Sequence, residues 1–126
     1  KNDDIYWIQN RKTGCLISCC VKFASIINAC PINHTNSLLE YASNLGLAFQ
    51  ITDDLLDLKG DRDKIGKPLN QDKLNGTPNF VNLLGEEDAR TKSKQIIEKA
   101  IESLNIFGKN AKNLVLLAKY SINREF

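Results

Sequence analysis

The stretch Gly46-Leu-Ala-Phe-Gln-Ile-Thr-Asp-Asp-Leu-Leu-Asp-Leu-Lys-Gly60 decides the fold and points to the chemistry. Gln50 with Asp53 and Asp54, and these two with Asp57, stand three or four positions apart, so on an α-helix their polar groups share one face. Leu45, Ala48, Phe49, Leu55 and Leu56 flank that face on one side, and Leu47, Ile51 and Leu58 on the other. An ordinary surface helix carries one apolar stripe on a polar cylinder; this one carries a polar stripe between apolar flanks. The pattern predicts acids that line an interior cavity. A solvated acidic face is the alternative, and it leaves both apolar flanks unexplained.

Carboxylates ~6 Å apart repel by roughly 3 kcal/mol per pair at an effective dielectric near 20, and a half-buried pair escapes that cost by protonating or by gaining a cation. A hard divalent cation fits best. Magnesium takes one or two carboxylates and fills its shell with water and phosphate oxygens, so Asp53, Asp54 and Asp57 read as a magnesium-bridged phosphate site.

The rest of the chain carries helical periods and no convincing strand alternation, which predicts an all-α fold. A first helix is expected from Asp3 to Ala29, with Ile5, Ile8, Cys15, Cys19, Phe23 and Ile26 on one stripe, ending before Pro31. Asn36 or Ser37 caps a second, which carries the aspartates and stops near Leu58 to Gly60. Residues 60–79, with glycines at 60, 66 and 76 and prolines at 68 and 78, read as a long functional loop. Short helices over Phe80–Leu84 and Ala111–Ile122 bracket a longer one over Glu86–Phe107, whose acidic start suits a helix N-terminus.

With 126 residues, 42% hydrophobic content and 3 prolines, the chain can bury one modest core. No apolar run approaches the ~20 residues of a membrane span. Seventeen basic against 15 acidic residues give a net charge of +2, too small and too scattered for a nucleic-acid footprint. A chain that starts at Lys1 and holds no methionine reads as a piece of a longer protein, and no signal peptide is visible. Cys15, Cys19, Cys20 and Cys30 lack the two separated ligand pairs of a zinc site. They are expected to be small buried thiols of a reducing, cytoplasmic protein.

Lys12 falls at the period of Ile5, Ile8, Cys15 and Cys19, which aims it inward and calls for an anionic partner such as a diphosphate. Thr13 beside it offers a hydroxyl, and Gly14 a weak point in the helix.

Phe49-Gln50-Ile51-Thr52-Asp53-Asp54-Leu55-Leu56-Asp57, trailed by Gly60-Asp61, Gly66-Lys67 and Asp72, resembles the second aspartate-rich motif of the trans-isoprenyl diphosphate synthases, the polyprenyl synthetase family. Lys12-Thr13 resembles the family's lysine–threonine step, and Asn82-Leu-Leu-Gly85 and Tyr120-Ser-Ile-Asn-Arg124 are similar to its later segments. The resemblance implies that residues 1–126 form the C-terminal portion of a helical isoprenoid synthase domain. It implies that Lys12 and Thr13 bind an allylic prenyl diphosphate, that Gln50 stabilises the allylic cation, and that Lys67 closes over the leaving group. It further implies that Asp53, Asp54 and Asp57 hold Mg2+, that isopentenyl diphosphate is the second substrate, that the product is farnesyl diphosphate, and that the protein is a homodimer. Thr77 stands where the family has a lysine, and the first aspartate-rich motif is not in this sequence. The fragment alone is therefore expected to be inactive, and a noncatalytic subunit that modulates an active synthase is the competing reading.

Other motifs carry less. Asp61-Arg-Asp63 mimics part of a calcium loop, with Ile65 at a ligand position. His34 is expected in a turn, solvated or capping, and the run around Arg90, Lys92 and Lys94 on a solvated helix face.

Overall fold

The computed structural model describes residues 2–65 and 79–124, and within them every regular element is a helix. α1 (Asn2–Gln9), a π-turn (Asn10–Gly14) and α2 (Cys15–Ile27) follow one another without a break. The chain then turns through Ala29, at φ 49°, and Pro31. α3 (Ile32–Ile65), α4 (Phe80–Leu84), α5 (Glu86–Glu102), a 3-10 segment (Asn105–Ala111) and α6 (Lys112–Ile122) complete the described fold. α3 is the axis of the bundle and touches all five other α-helices. Its inner face supplies Tyr41, Leu45, Ala48, Ile51 and Leu55 to a core that Ile5, Phe80, Ala89, Ile96, Ile97, Ala100 and Leu104 complete. The small side chains of Ala48, Ala89 and Ala100, all fully buried, let the helix backbones approach closely.

Sequence periodicity anticipated five helical stretches, of which the structure divides the first into α1 and α2, and it missed several boundaries. α3 starts at Ile32, four residues before the expected cap at Asn36, because Pro31 fixes a φ that suits the residue entering a helix. It runs through Gly60 to Ile65, beyond the expected stop. A glycine costs a helix interior only ~1 kcal/mol, and the ion pair Arg62 Nη1–Glu86 Oε2 (2.8 Å) ties the extension to the first turn of α5. The calcium-loop likeness of Asp61-Arg-Asp63 is accordingly a chance match, since both residues are helical. His34 also lies in α3, not in a turn, with its ring 4.9 Å from that of Phe107. α5 ends at Glu102, short of the expected Phe107, and the chain breaks at Gly108, which sits at φ 55° and ψ −133°.

The largest correction concerns the first helix. In the π-turn the Cys15 amide bonds to the Asn10 carbonyl five residues back, which inserts an extra residue and rotates everything downstream by roughly 100°. The inward line is accordingly Ile5, Gln9, Gly14, Ser18, Val21 and Ser25, with a step of five across the turn. Ile8, Cys15, Cys19, Phe23 and Ile26, expected on the buried stripe, are exposed, as are Lys12 and Cys20. Cys30 is half-buried, and all four thiols are free. Trp7 (59% exposed), Leu16, Phe23 (64%), Ile26 and Ile27 leave a broad apolar surface along α1 and α2. Among the described residues no helix is long and apolar enough to cross a membrane.

Candidate diphosphate and metal site

The π-turn and the middle of α3 meet face to face. Gly46 faces Gly14 so closely that a Cβ built on Gly46 would stand 3.2 Å from the Gly14 Cα. This approach brings Thr13 to Gln50, whose Nε2 donates a 2.7 Å hydrogen bond to Thr13 Oγ1. Gln50 is buried, so the bond fixes its amide in a site screened from water. As acceptor from Gln50, the Thr13 hydroxyl retains its own proton for a further acceptor.

One turn further along α3, Asp53 and Asp54 are half-buried and Asp57 is exposed. Asp54 Oδ2 accepts the backbone N–H of Phe80 at 2.8 Å, so the start of α4 clamps this carboxylate. Burial is the chief cause that pushes the Asp54 carboxyl above the usual carboxylate range. The Phe80 amide opposes that rise, Asp57 and Asp53 reinforce it, and the positive charge of Lys12 counters it. Lys12 is exposed rather than buried, yet its ammonium acts on Asp54 across the groove between the two helices. Asp53 takes a different partner: Arg124 Nη2 meets Asp53 Oδ1 at 2.8 Å.

The flanks expected from sequence are present. Leu45, Ala48, Ile51 and Leu55 are buried, and Phe49, Leu47, Leu56 and Leu58 half-buried. Thr52 turns to the opposite side, where its hydroxyl bonds to the Ala48 carbonyl (2.9 Å) and pairs with Ser93 Oγ (3.2 Å). Arg124 also borders a cavity of about 460 Å3 lined by Lys59, Arg90, Lys94 and the Thr52–Ser93 pair.

Of the residues singled out in the sequence, Thr13 meets Gln50 and the charge of Lys12 reaches Asp54 where the π-turn packs on α3, while Asp53 turns to Arg124 and Asp57 lies exposed one turn on. Lys67, with Asp72 and Thr77, lies outside the described residues. Two contributors were not foreseen. The Phe80 amide leaves no trace in a sequence, whereas Arg124 stood in a recognised C-terminal segment without an assigned role.

The described fold is an all-helical bundle in which the acidic stripe of α3 lies beside the turn that carries Lys12 and Thr13. The sequence profile of the polyprenyl synthetase family matches residues 3–115, and the chain belongs to this family. It is 34% identical over 126 residues to a farnesyl diphosphate synthase of Escherichia coli, an alignment covering 97% of this chain and 42% of that protein. To a geranylgeranyl diphosphate synthase of Cyanophora paradoxa it is 30% identical over 122 residues, 97% of this chain and 41% of the relative. A farnesyl diphosphate synthase of Geobacillus stearothermophilus is 37% identical over 97 residues, covering 77% of this chain and 33% of the relative. The chain therefore spans between about a third and two fifths of the length of these curated relatives.

Proposed function

We propose that residues 1–126 are the C-terminal portion of a polyprenyl synthetase domain, and that the whole protein joins an allylic prenyl diphosphate to isopentenyl diphosphate with the release of pyrophosphate. The observation that carries this reading is the meeting of two stretches distant in sequence: Thr13 is bonded to Gln50, and the charge of Lys12 bears on Asp54.

The donor set fits Mg2+. Asp53, Asp54 and Asp57 offer only hard oxygens, and the strain of like charges at Asp54 is relieved by a cation. An ion of this kind takes one or two carboxylates and completes its shell with phosphate and water. Bound there, the metal would supply positive charge to the departing diphosphate. Asp53, Asp54 and Asp57 would hold it.

The chain's own residues do the rest. Lys12 presents a charge to the diphosphate, and Thr13, its lone pair occupied by Gln50, donates its proton to a phosphate oxygen. As the allylic carbon–oxygen bond breaks, the electron pair leaves with the diphosphate and the carbon skeleton becomes cationic. Gln50 donates through its nitrogen to Thr13, which leaves its carbonyl oxygen, the negative end of the amide dipole, for the cation. Phe49 and Ile51, which flank the stripe, would help to keep water from the cation. The double bond of isopentenyl diphosphate is the nucleophile; the cation left once the carbon–carbon bond forms loses a proton to the released pyrophosphate and regains a double bond, so no activated side chain is required. Lys67 completes the phosphate contacts, and the product is farnesyl diphosphate. The apolar surface of Trp7, Leu16, Phe23, Ile26 and Ile27 is where the remaining helices of the domain pack, and the complete protein is a homodimer.

Calorimetric titration of the chain with a nonhydrolysable allylic diphosphate analogue, with and without Mg2+, tests the reading. Magnesium-dependent binding that Asp53→Ala abolishes is the expected result. Absence of binding to folded chain would favour the noncatalytic subunit, for which the replacement of a family lysine by Thr77 is the supporting observation.

A further inference from the structure

Asp53 and Asp54 are held in the same way by different parts of the fold. Each has one oxygen tied to a tertiary partner, Asp53 Oδ1 to the Arg124 guanidinium and Asp54 Oδ2 to the Phe80 amide, both at 2.8 Å. Each keeps its second oxygen without a protein hydrogen bond among the described residues. Carboxylates that bind metals are oriented in this manner by outer partners, and loss of such a partner costs 10–100-fold in metal affinity.

We propose that Arg124 is a positioning residue for Asp53, fixing its free oxygen for a divalent cation and tying the order of the site to the end of α6. The inference rests on the reading of Asp53 as a metal ligand. Arg124 is built in rather than resting on the surface: its side chain is only 11% exposed. Its Nε donates to the Ser121 carbonyl at 2.8 Å and Nη2 reaches the Phe49 carbonyl at 3.4 Å. Its guanidinium carbon stands 4.0 Å from the centroid of the Phe49 ring. A group so enclosed does not leave when a cation arrives, because departure would strand a buried guanidinium and break four contacts.

Two effects of Arg124 on a metal oppose one another. Its charge repels the cation, and its geometry presents the carboxylate. In the proposal geometry prevails, because the guanidinium charge is delocalised and already paired with Asp53 Oδ1, whereas an untethered aspartate must be ordered by the metal itself. Lysine cannot replace it, having neither a planar fork nor the stacking face that meets Phe49.

Mn2+ affinity of the 126-residue chain, read by electron paramagnetic resonance at a temperature where circular dichroism shows each variant folded, tests the proposal. Wild type is expected to bind Mn2+, and R124Q and R124K each to bind at least tenfold more weakly. Should R124Q fail to fold, R124K carries the same comparison. Tighter binding by R124Q with unchanged binding by R124K would show charge masking and overturn the proposal. A lowered melting temperature with unchanged Mn2+ affinity would make Arg124 merely structural and overturn it too. If wild type binds no Mn2+, or a D53N/D54N variant binds as well as wild type, the metal reading itself falls, and the inference with it.

Discussion

Gly46 and Gly14 pack backbone against backbone, and a methyl group on Gly46 would stand 3.2 Å from the Gly14 Cα, 3.4 Å from Ile17 Cδ1 and 3.6 Å from the Gly14 nitrogen. The nearest atom is main chain, which cannot rotate aside. Gly46→Ala is therefore expected to push α3 off the π-turn and to destabilise the chain by about 1–2 kcal/mol, despite the better helix propensity of alanine. Gly14→Ala meets only the Asn10 side chain, at 2.5 Å, which can change rotamer. Urea denaturation of the two variants should show a clear loss for the first and little change for the second; equal midpoints would contradict the close approach.

The same approach sets the Thr13–Gln50 bond. Thr13→Val leaves the buried Gln50 amide without its acceptor, at a cost of about 1–3 kcal/mol in stability. Thr13→Ser retains the hydroxyl and should recover most of that loss. In the proposed function the valine variant also weakens binding of the allylic diphosphate analogue about tenfold, the value of one hydrogen bond to a charged group. Parallel unfolding and calorimetric measurements separate the two effects.

Asp54 gives a stability dependence with a definite sign. Its folded pKa lies above the unfolded value near 3.8, so its contribution to stability is fully present below about 3.8 and lost as pH rises through the folded value. At neutral pH the ionised, half-buried carboxylate is a destabilising element. Asp54→Asn keeps an oxygen for the Phe80 amide and removes the charge, so the metal-free variant should melt above wild type at pH 7. The gap should close below pH 4. Mg2+ should raise the melting temperature of wild type and leave that of the variant unchanged.

Tyr41 acts at the opposite end of the scale. Burial raises its hydroxyl from 10.0 to about 12, and the hydroxyl donates to the Leu114 carbonyl at 2.8 Å, linking α3 to α6. Stability from the protonated phenol is complete below pH 10 and falls by roughly 1.4 kcal/mol per pH unit between 10 and 12, where only the unfolded state ionises. Tyr41→Phe should lose about 1 kcal/mol at neutral pH, the net worth of one hydrogen bond, and lose that component of the alkaline slope. A variant with the wild-type slope above pH 10 would assign the titration elsewhere.

Periodicity was decisive for α3 because both of its determinants are local. The spacing of Gln50, Asp53, Asp54 and Asp57, and the apolar residues beside them, already define a polar seam in an apolar helix, and side chains three and four apart must share a face. For α1 and α2 the same reasoning misplaced every residue of the stripe but Ile5: the π-turn shifts the phase of Cys15, Cys19, Phe23 and Ile26, and Ile8 lies off the buried line already before it. Gly14 hinted at an irregularity but gave neither its kind nor its size.

What the sequence by itself determined is the all-helical class and the acidic stripe of α3, with a lysine–threonine step recognised by resemblance. Each depends on contacts within a few residues or on a motif carried whole. Only the tertiary structure decided that Thr13 meets Gln50, 37 positions away, that the Phe80 amide clamps Asp54, and that Arg124, 71 positions from Asp53, holds its carboxylate. Those contacts arise where the π-turn, α4 and the residues after α6 close on α3, and packing between distant helices leaves no period in the chain.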